Sequence, residues 1–164
     1  MNKLTYERTN ELLNYCPNTG IFTRKISLSN SVKVGQVAGF VGGKGYIYLS
    51  VDGKSYLAHR LAWLITFKCW PNKTIDHING IKTDNRLLNL RSVSAAINNQ
   101  NKHFAQSNSA SKILGVSWMS HAKKWRAQIQ INKTVKYLGL YANKNDAQQA
   151  YLFAKRNIHI GCTI

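Results

Sequence analysis

Acidic residues are scarce in this chain. Only 6 Asp and Glu stand against 23 Lys and Arg, so the 164 residues carry a formal net charge of +17, and the sequence pI is near 10.1. A solvated basic surface explains so large an imbalance poorly, and the charge indicates a polyanionic partner, above all nucleic acid. An anionic membrane is a weaker candidate because the sequence shows no basic amphipathic helix with a broad apolar face.

Cysteines and long apolar runs are scarce as well. The three cysteines, Cys16, Cys69 and Cys162, are far apart and form no C-x-x-C pair, which argues against a zinc knuckle and against disulfides. No apolar run approaches the roughly 18 residues of a membrane span, and the polar N-terminus lacks a signal-peptide core. We therefore expect an intracellular protein without a membrane partner.

The N-terminal part of the sequence is rich in turn signals. Residues 1 to about 57 predict short strands and turns, with a hairpin around Asp52-Gly53-Lys54. A helix is expected from about His59 through Phe67, because apolar residues recur there at helical spacing. Pro71 follows and prevents its continuation.

The middle of the chain predicts a strand, a polar loop, a second short strand and a helix. Residues 72–93 supply the two strands and the loop between them. Ser94 is a suitable N-cap for a helix from Ala95 to about Lys102. The polar, small residues 103–112 then indicate a linker, which either tracks along DNA or is an idle tether.

The C-terminal part predicts a small sheet packed on one helix. Residues 125–131 alternate between polar and apolar, and Asn132-Lys133 provides a turn into a returning strand. Asn143 can cap a final helix with an apolar stripe made of Ala147, Ala150, Tyr151 and Ala154. The fold class is therefore α+β, with a three-stranded antiparallel sheet and one helix in the second domain.

One segment concentrates the rare carboxylates beside a histidine. Asp76 precedes His77, and Asp84 follows within the same Asn- and Gly-rich stretch. A divalent ion can neutralise charge on a phosphodiester, and a neutral imidazole can activate water. Neighbouring strand residues point to opposite sides, so the carboxylate and the imidazole act on different atoms. The pattern favours a nuclease, although such a loop alone can be a turn with an Asp cap.

A run of motifs resembles the phage and intron-encoded HNH homing endonucleases over roughly residues 45–102. The elements recur in order: His59-Arg60-Leu61, Asp76-His77-Ile78-Asn79-Gly80, Asp84-Asn85-Arg86-Leu87, Asn89-Leu90-Arg91 and Asn98-Asn99-Gln100-Asn101. The resemblance implies a ββα-metal fold with His77 as general base. It also implies that Asp76 and Asn98 bind one Mg²⁺ or Mn²⁺, and that Asn89 holds the loop and orients the histidine.

The chain departs from that family at the last position of the motif. Many HNH enzymes carry histidine where this sequence has Asn98. A neutral amide is a weak ligand, so Asn99 or Asn101 is an alternative second ligand. Three further residues, His59, Arg60 and Arg91, are candidates for supporting the site. His59 either supports the site, contacts phosphate, or packs as a structural residue at the start of its helix.

The C-terminal domain carries candidate DNA contacts. The alternation puts Arg126, Gln128 and Gln130 on one face of their strand, and Arg and Gln can read guanine and adenine edges. Residues 113–156 resemble the plant ethylene-response-factor (APETALA-type) DNA-binding domain, although Ser117 stands where that family usually has arginine. The DNA-contacting set that follows from both arguments is Trp118, Lys124, Trp125, Arg126, Gln128, Gln130 and Lys136. An ordinary half-exposed strand would show the same alternation.

The sequence thus predicts two domains and one activity. The expected organisation is an HNH nuclease domain at 1–102 with its motif core at 57–102 and a β-rich N-terminal extension, a linker at 103–112, and an ethylene-response-factor-like domain at 113–164. The expected activity is site-specific, metal-dependent cleavage or nicking of double-stranded DNA by a monomer, in the cytoplasm of a bacterial host if the chain is phage-encoded. A catalytically inactive DNA-binding regulator is the alternative. An RNA-binding module is a third reading, but no RNA-recognition signature is evident.

Overall fold

The chain begins with a short helix, α1 (Tyr6–Leu12), that the turn-rich sequence did not predict. The side-chain oxygen of Thr5 accepts a hydrogen bond of 3.2 Å from the backbone N–H of Arg8 and so caps the helix. Leu12 is 1% exposed in the core, and this burial stabilises a helix too short to persist alone. The expectation of strands and turns alone was therefore wrong at this point.

The computed structural model describes residues 4–27 and 32–164. Parts of the predicted N-terminal β-rich region, residues 1–3 and 28–31, lie outside the described residues. The chain divides into two compact units, Met1–Ser94 and Ala95–Ile164. Helices and strands occur in both, which confirms the mixed α and β character expected from the sequence.

Six short strands form two antiparallel sheets in the first unit. The first sheet has the order β1 (Leu13–Tyr15), β2 (Phe22–Arg24), β3 (Val37–Ala38), and the second has the order β4 (Phe40–Val41), β5 (Ile47–Val51), β6 (Lys54–Leu57). The predicted hairpin is confirmed, because Val51 pairs with Lys54 across a turn in which Asp52 and Gly53 both have positive φ. Two positive φ angles give the turn the twist that joins neighbouring antiparallel strands.

A helix and a two-stranded sheet complete the first unit and carry the motif residues. Helix α2 (Ala58–Phe67) ends at Lys68, whose φ of 57° is left-handed. Strand β7 (Thr74–His77) pairs with β8 (Leu90–Val93), and a 3₁₀ turn (Leu87–Asn89) precedes β8. Leucines of α1, β5 and α2 fill the core with Ile75 and Leu90 from this sheet. The loop between β7 and β8 is therefore held at both ends by a buried sheet.

The second unit contains the predicted small sheet and its helix. Strands β9 (Val116–Met119), β10 (Lys124–Ile131) and β11 (Thr134–Tyr141) lie in the order β11-β10-β9. Helix α4 (Lys144–Ile158) begins where the Asn143 side chain accepts from the N–H of Asp146. The buried residues of its apolar stripe, Ala147, Tyr151 and Ala154, pack on Ala127 and Ile129 of β10, as the alternation predicted.

Two further segments belong to the second unit. Helix α3 (Ala95–Gln100) ends two residues earlier than the predicted Lys102. Residues 103–112 contain neither helix nor strand, but Ser111 is buried and its hydroxyl donates to the carbonyl of Val116 at 2.6 Å. Among the described residues, no helix is long and apolar enough to cross a membrane.

Candidate active site and nucleic-acid interface

Asp76 and His77 end strand β7 and face different neighbours. Asp76 pairs across the sheet with Arg91 of β8, and its Oδ2 accepts from Arg91 Nε at 2.9 Å and Nη2 at 2.8 Å. The carboxylate is 6% exposed, so a guanidinium beside it offsets much of the cost of burying its charge. Arg91, predicted as a supporting residue, thus fixes the orientation of Asp76.

The imidazole of His77 lies against an amide that the sequence reasoning had not assigned a role. Asn85 Oδ1 is 3.2 Å from His77 Nε2, while the amide nitrogen of Asn85 donates to the Thr83 carbonyl at 3.3 Å. An amide oxygen only accepts, so Nε2 carries the proton and the lone pair of the neutral ring is on Nδ1. Asn85 is 1% exposed, and the Tyr15 hydroxyl donates to its carbonyl at 2.7 Å, so this partner is firmly held.

Two aromatic rings, those of His59 and Tyr46, lie close to His77 in the first unit. The ring centroids of His59 and His77 are 5.0 Å apart and edge-to-face, and Tyr46 lies 5.3 Å from His59 and 5.9 Å from His77. Burial lowers the pKa of His59 to about 3, and the nearby His77 and Arg60 add to the shift. Burial also lowers the pKa of His77, against the opposing effects of the Asn85 hydrogen bond and the carboxylates of Asp76 and Asp84. Both rings are therefore neutral at cellular pH.

Two basic side chains of the first unit lie over aromatic rings, and one of them, Arg60, was predicted to support the site. Arg60 lies over the ring of Trp70, with its guanidinium carbon 5.6 Å from the centroid, so its visible role is packing. Lys82, which the sequence reasoning did not single out, places its ammonium 4.9 Å from the centroid of the Tyr46 ring. It therefore brings a positive charge next to the ring that contacts both histidines.

Asn89 closes the loop that precedes β8. Its Oδ1 accepts from the backbone N–H of Asn79 at 2.9 Å, and its Nδ2 donates to the Asp84 carbonyl at 2.8 Å. The Asp84 carboxylate accepts from Arg86 and from the Asn79 amide, and the Arg86 guanidinium is the main reason that its pKa falls to about 2. These contacts fix the backbone between His77 and Asn85.

The candidate metal ligands fit a loosely held hard cation. Asp76 is the only predicted carboxylate ligand, and no group of three or more His, Cys, Asp or Glu that could hold a metal occurs in the described part of the chain. Mg²⁺ is commonly held by one or two carboxylates, with water and substrate phosphate filling its other positions. Asn98 and Asn99 lie on α3, and the buried Asn101 follows it, all in the second unit. The second ligand thus stays a prediction.

The pairing register divides the predicted DNA contacts of the second unit between two faces. Residues directly opposite each other in a sheet share a face. Arg126 pairs with Ser117, and Gln128 pairs with Tyr137. We call this side of the sheet the reading face, and it includes Lys124, Arg126, Gln128, Gln130, Ser117 and Tyr137. Arg126 Nε donates to Ser117 Oγ at 3.3 Å.

The remaining predicted DNA contacts lie on the opposite face, toward α4. Trp118 pairs with Trp125, which shares the face of buried Ala127, and their rings are edge-to-face at 5.1 Å. Lys136 pairs with the core residue Ile129 because the register shifts beyond Ala127. Trp118 is nevertheless 50% exposed, and Lys136 is exposed.

Comparison with known proteins supports the first part of the sequence-based interpretation. Residues 56–100 match the family model described as HNH endonuclease. This segment contains α2, both strands of the two-stranded sheet, and the residues His59, His77 and Asn85, and the match supports an HNH-type nuclease. No curated protein matches the chain.

A solved structure reporting DNA binding and cleavage by the HNH homing endonuclease I-HmuI is also similar. The alignment covers 61% of this chain and 56% of that chain, with 23% sequence identity and a TM-score of 0.41. The chain therefore spans little more than half the length of that protein. The proposed function depends on the family match and on the geometry, and the ethylene-response-factor-like domain remains a prediction.

Proposed function

We propose that this chain is a site-specific, metal-dependent DNA endonuclease of the HNH homing type. The observation that carries the proposal is the state of His77 within the matched segment. Its ring is neutral through burial, and Asn85 fixes the proton on Nε2. A neutral imidazole in a defined tautomer is what general-base activation of water requires.

Each motif residue then has a chemical task. His77 accepts a proton from the attacking water at Nδ1, and Asn89 keeps the loop that carries Asn85 in place. Asp76, oriented by Arg91, and Asn98 would hold one Mg²⁺ or Mn²⁺. Such an ion, when bound, supplies positive charge to the scissile phosphate and the leaving oxygen.

The charge and the second unit favour double-stranded DNA as the substrate. A net charge of +17 draws the chain to phosphates, and the reading face offers arginine and glutamine side chains that can contact base edges. One candidate active site per chain suggests nicking by a monomer. The chain would then act inside the cell, in the cytoplasm of a bacterial host if it is phage-encoded.

A catalytically inactive DNA-binding regulator is the competing function. It is favoured by the Asp76–Arg91 pair, in which the guanidinium occupies an oxygen of the predicted metal ligand. In that case Asp76 and Arg91 would be structural, and the protein would bind DNA without cutting it.

Cleavage of duplex DNA distinguishes the two functions. Duplex DNA and Mg²⁺ or Mn²⁺ are incubated with wild type, with His77→Ala, or with the control His121→Ala. The control removes an exposed histidine of the second unit. We expect product on a denaturing gel for wild type and His121→Ala, and none for His77→Ala or with EDTA. Tight DNA binding by wild type without any product would instead assign the regulator function.

A further inference from the structure

The second unit contains an open pocket whose walls are basic and amide-rich. Its volume is about 810 Å³, and Lys102, Lys133, Lys155, His159 and Gln130 contribute to its lining. Among the described residues that line it, none is Asp or Glu. A concave site with several cations and no carboxylate favours an anionic ligand.

Lys155 is a buried cation at the wall of this pocket. The residue is 1% exposed, and its ammonium donates to the backbone carbonyl of Lys102. Within the described residues this carbonyl is its one hydrogen-bond acceptor, and no carboxylate pairs with it. An ammonium has three N–H donors, and a buried charge without a counter-ion is costly. A bound anion would offset that cost.

His159 gives a second, independent sign of a ligand at the same wall. Its Nε2 lies 2.9 Å from the Gln130 carbonyl, which can only accept, so Nε2 is the donor. Its Nδ1 is buried and has no hydrogen-bond partner among the described residues. Buried polar atoms in folded proteins nearly always have a partner, so an unpartnered nitrogen indicates that a group from outside the chain completes the site. A phosphate oxygen can be that partner when both ring nitrogens carry protons, because Nδ1 is then a donor.

We propose that this pocket binds a phosphate group, with Lys155 at its wall and the exposed Lys102 and Lys133 at its rim. A DNA strand is the source that the net charge of +17 favours, and this source rests on the proposed function. Gln130 connects the pocket with the reading face, because its backbone carbonyl contacts His159 while its side chain belongs to that face. The bound phosphate would belong to the DNA backbone next to the bases that the reading face contacts.

Titration with inorganic phosphate tests the pocket without DNA. Amide resonances of the full chain are followed by NMR in phosphate and in chloride at equal ionic strength. We expect the amides of Gln130, Lys133 and His159 to shift in wild type and in Lys123→Gln, which removes an exposed charge elsewhere in the unit. The Lys155→Met variant keeps an unbranched side chain for packing but removes the positive charge. It should abolish the phosphate-induced shifts.

A second variant guards against misfolding of Lys155→Met. Lys102→Gln/Lys133→Gln changes only exposed side chains and should weaken phosphate binding at least threefold. If phosphate shifts the amide resonances of both variants as much as those of wild type, the pocket does not bind phosphate through these lysines and the proposal is wrong. Loss of the shifts in either folded variant supports it.

The salt dependence of DNA binding distinguishes the two sources of phosphate. In EDTA, where no cleavage occurs, the log–log slope of affinity against salt should fall by about 0.9 for each DNA phosphate that a variant no longer neutralises. An unchanged slope in variants that no longer bind phosphate would assign the pocket to a free phosphate compound and overturn the DNA strand as its source. If wild type cuts no DNA but retains the phosphate shifts, the nuclease proposal fails and the pocket stands.

Discussion

Asn85 Oδ1 lies 3.2 Å from His77 Nε2 and thereby fixes which nitrogen of the imidazole can act as a base. The acceptor is held by its own amide bond to the Thr83 carbonyl and by the Tyr15 hydroxyl on its backbone. A ring free to change tautomer would present the required lone pair only part of the time. The amide therefore has a defined task in the proposed reaction.

Removing that oxygen should slow DNA cleavage with little change in DNA affinity. We expect Asn85→Ala to lower kcat by about 10–100-fold, the usual effect of losing a partner that orients a site residue. Asn85→Asp keeps an acceptor at Nε2 and should lose less. The exposed Asn72→Ala is the control. Equal rates for all three variants and wild type, from single-turnover kinetics, would remove Asn85 from the mechanism.

The Asp76–Arg91 pair should couple folding to the metal site. Removing one partner leaves a poorly exposed charge unpaired, so Asp76→Asn or Arg91→Met should each lower the free energy of unfolding by about 2–3 kcal/mol. The double variant should lose less stability than the two single variants added together, by at least about 1 kcal/mol. Hydrogen exchange of α2 amides in the full chain reports the stability of the first unit.

Cleavage by the same variants tests whether Asp76 binds the metal. Arg91→Met should retain cleavage at raised metal concentration, because the carboxylate remains. Asp76→Asn and the double variant should not cut DNA at any metal concentration. Cleavage by the double variant would show that Asp76 serves the fold alone.

Buried histidines should make the first unit sensitive to acid. His59 has a folded-state pKa of about 3 against an ordinary value of 6.5, so between these values the unfolded chain binds a proton that the folded chain does not. The free energy of unfolding therefore falls as the pH is lowered below about 6.5. His77, whose pKa is also lowered, acts in the same direction.

Replacing His59 should flatten this acid dependence. In His59→Phe, the loss of free energy of unfolding between pH 6 and pH 4 should shrink by up to about 1.4 kcal/mol per pH unit, the value of one proton. Leu61→Ala is the matched control, since it removes buried packing from the same helix and should lower stability equally at every pH. A parallel pH dependence in His59→Phe and wild type would contradict a neutral His59 in the fold.

Because the sheet of the second unit has two faces, substitutions on the two faces should affect DNA binding in different ways. Arg126→Ala and Gln128→Ala should each reduce discrimination between target and unrelated DNA by about 1–3 kcal/mol. Lys136→Ala, on the opposite face, should weaken binding to both DNAs alike and reduce the salt slope by about 0.9. Competition binding at two salt concentrations measures both effects. A loss of discrimination in Lys136→Ala would place the base contacts on the other face.

Elements with strong local signals were predictable. The hairpin at Asp52-Gly53 was confirmed, because its turn residues tolerate the positive φ that the twist demands. Helix α4 was confirmed, because a side-chain cap and a regular apolar stripe coincide at its start and along its face. Helix α1 has a cap at Thr5 but only seven residues, and its stability comes from the core it contacts. A short segment of this kind gives no periodic signal.

The sequence by itself determined which chemical groups this chain carries: an excess of basic residues, a carboxylate next to a histidine, and a segment at residues 56–100 that matches the HNH endonuclease family model. The tertiary structure decided which groups meet. His77 contacts Asn85 across a loop and His59 from α2, and Lys136 faces Ile129 only because the register shifts beyond Ala127. Residue type fixes what a side chain can do, whereas contacts between distant residues depend on loop closure and strand register, which no local pattern encodes.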